Sequence, residues 1–140
     1  MIVLDTSGLL ANYDRSDHHH NSVSQLLMQP QRRLLSPFVL AEVDYLVTRI
    51  AGQSVALIVL DDVIRGAYEL APFAASDVAA AKSVIEQYAD LHLGIADASL
   101  VVMAERYECL DLLTLDQRHF RAVRSLRGQA FRLLPHDSDQ

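Results

Sequence analysis

The chain has 140 residues, 51% of them hydrophobic, and a formal net charge of −6. A chain of this size hides roughly two thirds of its unfolded surface in one core without a disulfide staple, and its single cysteine, Cys109, forbids an internal bridge. The charge argues against a protein that coats nucleic acid non-specifically. The most apolar stretch, 34–60, is interrupted by Glu42, Asp44, Arg49 and Gly52, too often for a membrane span of about 20 apolar residues. With nothing before Asp5 resembling a secretory signal, the expectation is a soluble, cytoplasmic protein with no membrane contact.

Ile2-Val3-Leu4 is an apolar run too short for a helix, closed by the polar turn Asp5-Thr6-Ser7-Gly8. It reads as a buried strand that delivers Asp5 to the carboxyl edge of a parallel sheet, with a helix from Ser7 to Tyr13 behind it. A polar turn over 14–17 precedes a helix from His18 to Gln29, with Val23, Leu26 and Leu27 at helical spacing, which ends before Pro30. The segment 31–35 suits a second strand, and Ser36-Pro37 marks a helix start. Val39, Val43, Leu46, Val47 and Ile50 recur on one helical face to about Ala51. Gly52 breaks the pattern, and 53–65 repeats it, giving a helical hairpin. Tyr68 to Leu70 is a short third strand closed by Pro72, and Ser76 starts a helix carrying Val78, Ala81, Val84, Ile85 and Tyr88. Gly94 precedes a helix from Asp97 to Glu108, and Asp111 to Leu115 is a strand that ends on Asp116. Beyond Arg118 the pattern is weaker, with a last strand at Phe131 to Leu134. The alternation of strand and helix predicts a three-layer α/β fold, a central, mainly parallel sheet of four or five strands flanked by helices. One domain is expected over 1–135, and 136–140 reads as a flexible tail.

An aspartate at a strand end or helix start is ordinarily a cap for backbone N–H groups, and Asp5, Asp97 and Asp116 each admit that reading. Glu42 does not. With Ser36 as cap, a capping-box glutamate falls at position 39, which is Val39, so Glu42 lies too deep in the helix. It borders the apolar face, where an unpaired carboxylate is costly to bury, so a metal ion or a partner's arginine is the natural compensation. Asp5 and Asp116 end strands at one sheet edge, Asp97 opens a helix and Glu42 projects from the second turn of another. All four can meet in one crevice. Crowded carboxylates repel unless divalent ions neutralise them, and oxygen-only donors select Mg2+ or Mn2+, which suits phosphoryl chemistry.

At these residues the chain resembles the PIN-domain ribonucleases, and within them the VapC-type toxins of type II toxin–antitoxin pairs. The matching segments are Ile2-Val3-Leu4-Asp5-Thr6-Ser7, Ser36-Pro37-Phe38-Val39-Leu40-Ala41-Glu42-Val43, Leu93-Gly94-Ile95-Ala96-Asp97-Ala98-Ser99-Leu100 and Leu113-Thr114-Leu115-Asp116-Gln117-Arg118-His119-Phe120. The resemblance implies a single PIN domain over 1–135 and a Mg2+- or Mn2+-dependent endoribonuclease, with Asp5, Glu42, Asp97 and Asp116 around the metal. Thr114 would support the site, and Thr6 is either a cap or a substrate contact. It further implies an RNA substrate, such as transfer or ribosomal RNA, an inhibitory antitoxin and a homodimer. A solitary RNA-processing nuclease and a non-catalytic PIN-fold binding module are the alternatives. Apolar residues beyond the main stripe of the hairpin, Phe38, Tyr45, Leu57 and Leu60, would offer the antitoxin a groove.

Eleven of the twelve basic residues are arginine, and Arg118, Arg121, Arg124, Arg127 and Arg132 crowd the last quarter, either as solvated surface or as a rim for RNA phosphates, with Arg118 and Arg121 the candidate contacts. His18-His19-His20 cannot all face one ion from a helix, because consecutive side chains point about 100 degrees apart. Asp61 and Asp62 read as a solvated face, and Asp90 as a surface acid or a support of the site. A haloacid-type phosphatase needs an aspartate where Ser7 stands. A receiver domain needs a lysine after a late strand, whereas the only lysine, Lys82, lies in an expected helix.

Overall fold

The computed structural model describes residues 1–139. Five strands alternate with seven helices: β1 (Ile2–Leu4), α1 (Thr6–Tyr13), α2 (His20–Met28), β2 (Arg33–Leu35), α3 (Pro37–Ala51), α4 (Gln53–Ile64), β3 (Glu69–Leu70), α5 (Ala75–Gln87), α6 (Ile95–Arg106), β4 (Asp111–Leu113), α7 (Gln117–Ala122) and β5 (Arg132–Leu134). One 3-10 turn, Ala89–Leu91, joins α5 to the residues before α6.

All strand pairs are parallel, in the order β3-β2-β1-β4-β5, so the expected three-layer α/β sheet is present and is wholly parallel. β1 lies in the middle with every residue buried, which is why its sequence is uninterrupted Ile-Val-Leu rather than alternating. Leu4 pairs with Leu35 on one side and Leu113 on the other. The chain adds β2 and β3 to one side of β1, crosses over through α5 and α6, and adds β4 and β5 to the other. The topological switch point therefore lies between β1 and β4, where a crevice opens at the carboxyl ends of open α/β sheets. Asp5 and Asp116 follow these two strands.

α6 is buried from Ala98 to Ala104 and packs on β1, α3 and α5, as a helix apolar nearly all round must. It begins at Ile95 with Gly94 as its N-cap, two residues before the sequence pattern placed it, so Asp97 sits within its first turn. α3 starts as expected: Ser36 Oγ accepts the Phe38 N–H at 3.2 Å, and Pro37 occupies the first turn, where its missing N–H costs nothing. Gly52, at φ 91°, separates α3 from α4.

Several expectations change. The polar end is anchored rather than frayed: buried Asp137 accepts two bonds from Arg121 at 2.6 and 2.8 Å and one from the Leu133 N–H at 2.7 Å, and only Gln140 of the expected tail lies outside the described residues. The Arg121 guanidinium holds the Asp137 carboxyl down to about 2. Asp62 is no solvated acid. It accepts the Tyr13 hydroxyl at 2.6 Å, Tyr13 meets the Tyr68 hydroxyl at 2.7 Å, and Arg65 pairs with the same carboxylate. Phe38 is half-buried and stacks edge-on against Phe73, whereas Tyr45, Leu57, Ile58 and Ile64 of the hairpin are exposed. Among the described residues no helix is long and apolar enough to cross a membrane.

Candidate active site

Asp5 stands one residue beyond β1 and is only 5% exposed. Its position is that of the α1 N-cap, yet its side chain makes no cap bond. Its hydroxyl donors are one distant and one local: Thr114 Oγ donates to Asp5 Oδ2 at 2.7 Å and Ser7 Oγ donates to the same oxygen at 2.9 Å. Among the described residues Oδ1 takes no side-chain bond. Burial lifts the Asp5 carboxyl to about 6; the Thr114 and Ser7 bonds oppose the rise, and the charge of Asp97 adds to it.

Thr114 is fully buried one residue past β4. Besides donating to Asp5 it accepts the Asp116 N–H at 3.0 Å, so one hydroxyl fixes the spacing of the two strand-end acids. Ser7 completes the knot by accepting the Leu115 N–H at 2.9 Å. This arrangement requires α1 to lie hard against β4. A Cβ at Gly8 would stand 2.6 Å from Leu113 Cγ and 2.8 Å from its carbonyl oxygen, so only glycine lets the helix start come that close. Ser7 was not singled out from sequence, because which of two adjacent hydroxyls turns inward depends on helix phase.

Two of the other acids, Asp97 and Asp116, serve local bonds. Asp97 Oδ2 accepts the Gly94 N–H at 3.1 Å, the cap role weighed for it. Asp116 is the α7 N-cap, with Oδ1 accepting the His119 N–H at 3.1 Å. His119 Nδ1 lies 3.1 Å from Asp116 Oδ2 but is too poorly aligned for a hydrogen bond and has no other partner. Glu42 is exposed on the second turn of α3, so the cost of burial does not apply to it. Thr6 is buried and its hydroxyl neither caps α1 nor finds any partner. The fold thus brings the acids to one sheet edge without packing them together. Among the described residues no three His, Cys, Asp or Glu side chains converge closely enough to hold a metal ion.

What is present is a buried carboxylate, Asp5, repelled by a second, Asp97, with no cation beside it. That donor set fits Mg2+, which keeps most of its waters and takes one or two carboxylates rather than a full protein cage. The arginines at the carboxyl-terminal end are largely committed: Arg121 to Asp137, Arg127 to Glu105 and Glu108, Arg132 to Asp111. Arg118, next to Gln117 at the start of α7, is exposed and joins no ion pair among the described residues. Among the described residues the histidine run forms no cluster of three donors. His20 Nδ1 contacts the Ala11 carbonyl oxygen at 2.9 Å, and the His18, His19 and His136 rings pack edge to face.

Comparison with known proteins places the chain among relatives of one kind. Residues 2–126 fit the family model of the PIN domain. Over 135 residues, 96% of this chain and all of the relative, the sequence is 41% identical to Ribonuclease VapC26 of Mycobacterium tuberculosis. The fold superposes on the Sarcin-Ricin loop cleaving toxin VapC20 of the same organism with a TM-score of 0.77 at 18% identity, covering 84% of this chain and 91% of that one. It superposes on VapBC2 from Rickettsia felis, solved with a promoter DNA fragment, with a TM-score of 0.67 at 18% identity, covering 95% and 98%.

Proposed function

The chain belongs to the PIN-domain family, and on that premise we propose that it is a Mg2+- or Mn2+-dependent endoribonuclease that acts in the cytoplasm as the toxin of a toxin–antitoxin pair. The observation that carries the chemistry is Asp5: a carboxylate 5% exposed, repelled by Asp97, at the β1/β4 switch point of a parallel sheet. Identity of 41% along the whole of a ribonuclease supports the substrate class.

In this reading Asp5, Asp97, Glu42 and Asp116 would hold the cation between them. Thr114 and Ser7 keep Asp5 from rotating by fixing Oδ2, so the carboxylate would meet the ion in one orientation. The bound cation would supply charge neutralisation at the phosphate and a bound water more acidic than bulk water. Thr6, buried with an unpartnered hydroxyl, supports the wall of the site. Arg118 takes a neighbouring RNA phosphate; Arg121 contributes by holding α7 against β5 through Asp137, not by touching RNA. An antitoxin covers the exposed apolar side of the α3–α4 hairpin, around Tyr45, Leu57, Ile58 and Ile64, and the toxin self-associates. The VapBC complex among the similar structures supports that partner class.

The test uses purified protein on transfer and ribosomal RNA. Cleavage is expected with Mg2+ or Mn2+, to stop in chelator, to vanish in Asp97→Asn protein and to fall when the product of the adjacent upstream gene is added. Undiminished cleavage in chelator or by the variant would overturn the mechanism, and a pair that neither co-purifies nor inhibits would overturn the toxin assignment.

A further inference from the structure

Two fully buried serines join the helices that carry Glu42 and Asp97. Ser36 Oγ lies 2.7 Å from Ser99 Oγ, and Ser99 Oγ donates to the Ala96 carbonyl oxygen at 2.6 Å. Because the Ser99 proton is spent on Ala96, Ser36 must donate to Ser99, while Ser36 itself accepts the Phe38 N–H at 3.2 Å. The result is a one-directional chain, Phe38 N–H to Ser36 to Ser99 to Ala96, running from the first turn of α3 to the first turn of α6. Alanine at both positions would remove both buried hydroxyls and leave only the Phe38 N–H to find another acceptor, so capping alone needs no partner at Ser99. What a bonded pair adds is register, since a small slide of α3 along α6 breaks it.

We propose that Ser36 and Ser99 are positioning residues whose buried hydroxyl bond sets the offset between α3 and α6, and through it the placement of Glu42 relative to Asp97 at the metal site. Glu42 lies six residues along α3 from Ser36, about 9 Å at the helical rise, and Asp97 lies two residues from Ser99, about 3 Å. Any slide at the couple is therefore carried rigidly to the gap between the two acids. The inference rests on the reading of these acids as a cation site, and it assigns the couple no contact with RNA or metal.

Mn2+ binding, followed by the paramagnetic resonance signal of the free ion, reads the couple without any turnover. Ser99→Ala and Ser36→Ala are each expected to weaken Mn2+ binding by about 10-fold or more, as outer supports of metal ligands do. The double variant should be no more than about threefold worse than the weaker single one, because both changes cut the same link. Val84→Ala, a buried truncation on α5 away from the site, should lower the melting temperature yet leave Mn2+ affinity unchanged. Should Ser99→Ala fail to fold, Ser99→Cys, nearly isosteric with a weak donor, decides by the same criterion. Mn2+ affinity within twofold of wild type in a folded serine variant overturns the couple alone. A wild-type protein that binds no Mn2+ overturns the metal site and the couple with it.

Discussion

Asp5 and Glu42 belong to the same edge of one sheet but are built in opposite ways. Asp5 is sealed between β1 and β4, receives two hydroxyl donors on one oxygen and carries a carboxyl lifted to about 6. Glu42 stands in solvent on α3 and makes no hydrogen bond among the described residues. The sealed side stores unfavourable charge in a place that cannot relax, whereas the open side is adjusted by whatever enters. On the proposed reading, a site divided in this way would have its cation affinity set by the buried half and its fit to RNA by the exposed half.

The comparison can be broken most severely at the charge itself. Asp97→Asn should lower RNA cleavage by on the order of 10³-fold, about 4 kcal/mol of transition-state stabilisation, measured as kcat/KM at saturating Mg2+. Retained activity would show that the buried half does not carry the chemistry.

Next comes the strain on Asp5. Its carboxyl is raised in the folded protein from 3.8 to about 6, so protonation favours folding: the contribution is fully present below pH 3.8 and is lost as pH rises through 6. Metal-free Asp5→Asn protein should therefore be more stable than wild type at neutral pH by up to about 3 kcal/mol, with the difference shrinking toward pH 4. Denaturant unfolding at several pH values measures it, and a gap that does not depend on pH would remove the electrostatic account.

Gly8→Ala tests the packing that makes the sealed half. Its Cβ meets the backbone oxygen of Leu113, which cannot swing aside, so a loss of about 1–3 kcal/mol is expected together with reduced cleavage as Ser7 and Thr114 separate. Unchanged stability would mean that α1 has room to shift. The smallest effect belongs to the open half. Glu42→Gln should change stability by less than about 0.5 kcal/mol while cleavage falls about tenfold or more. A large loss of stability there would erase the distinction between the halves.

Much of this division was legible in the residues. Apolar runs capped by Asp5 and Asp116 place two acids at strand ends because a buried parallel strand has no other composition available. The start of α6 was misplaced because Gly94 caps it without a side chain and so leaves no residue signature. The burial of Glu42 was inferred from its neighbours, but the inward row of α3 is Val39, Val43 and Val47, and one step around the helix is enough to bring position 42 into water. Ser7, Asp62 and Asp137 were invisible as partners because their bonds close over long separations in the chain, to Thr114, Tyr13 and Arg121, and a polar residue in a turn or tail looks the same whether or not such a partner arrives.

The strand order also dictates when the acidic edge can exist at all. β1 leaves the ribosome first, and β2 and β3 can join one flank early. Its other flank must wait for β4, more than a hundred residues later, because α5 and α6 intervene. Until then Asp5 lacks Thr114, and Asp97 has no settled helix to stand on. A growing chain, made at about 5–20 residues per second, thus spends most of its synthesis without the geometry that the proposed RNA cleavage requires. On the proposed reading, the nascent polypeptide stays inert until β4 and β5 are in place.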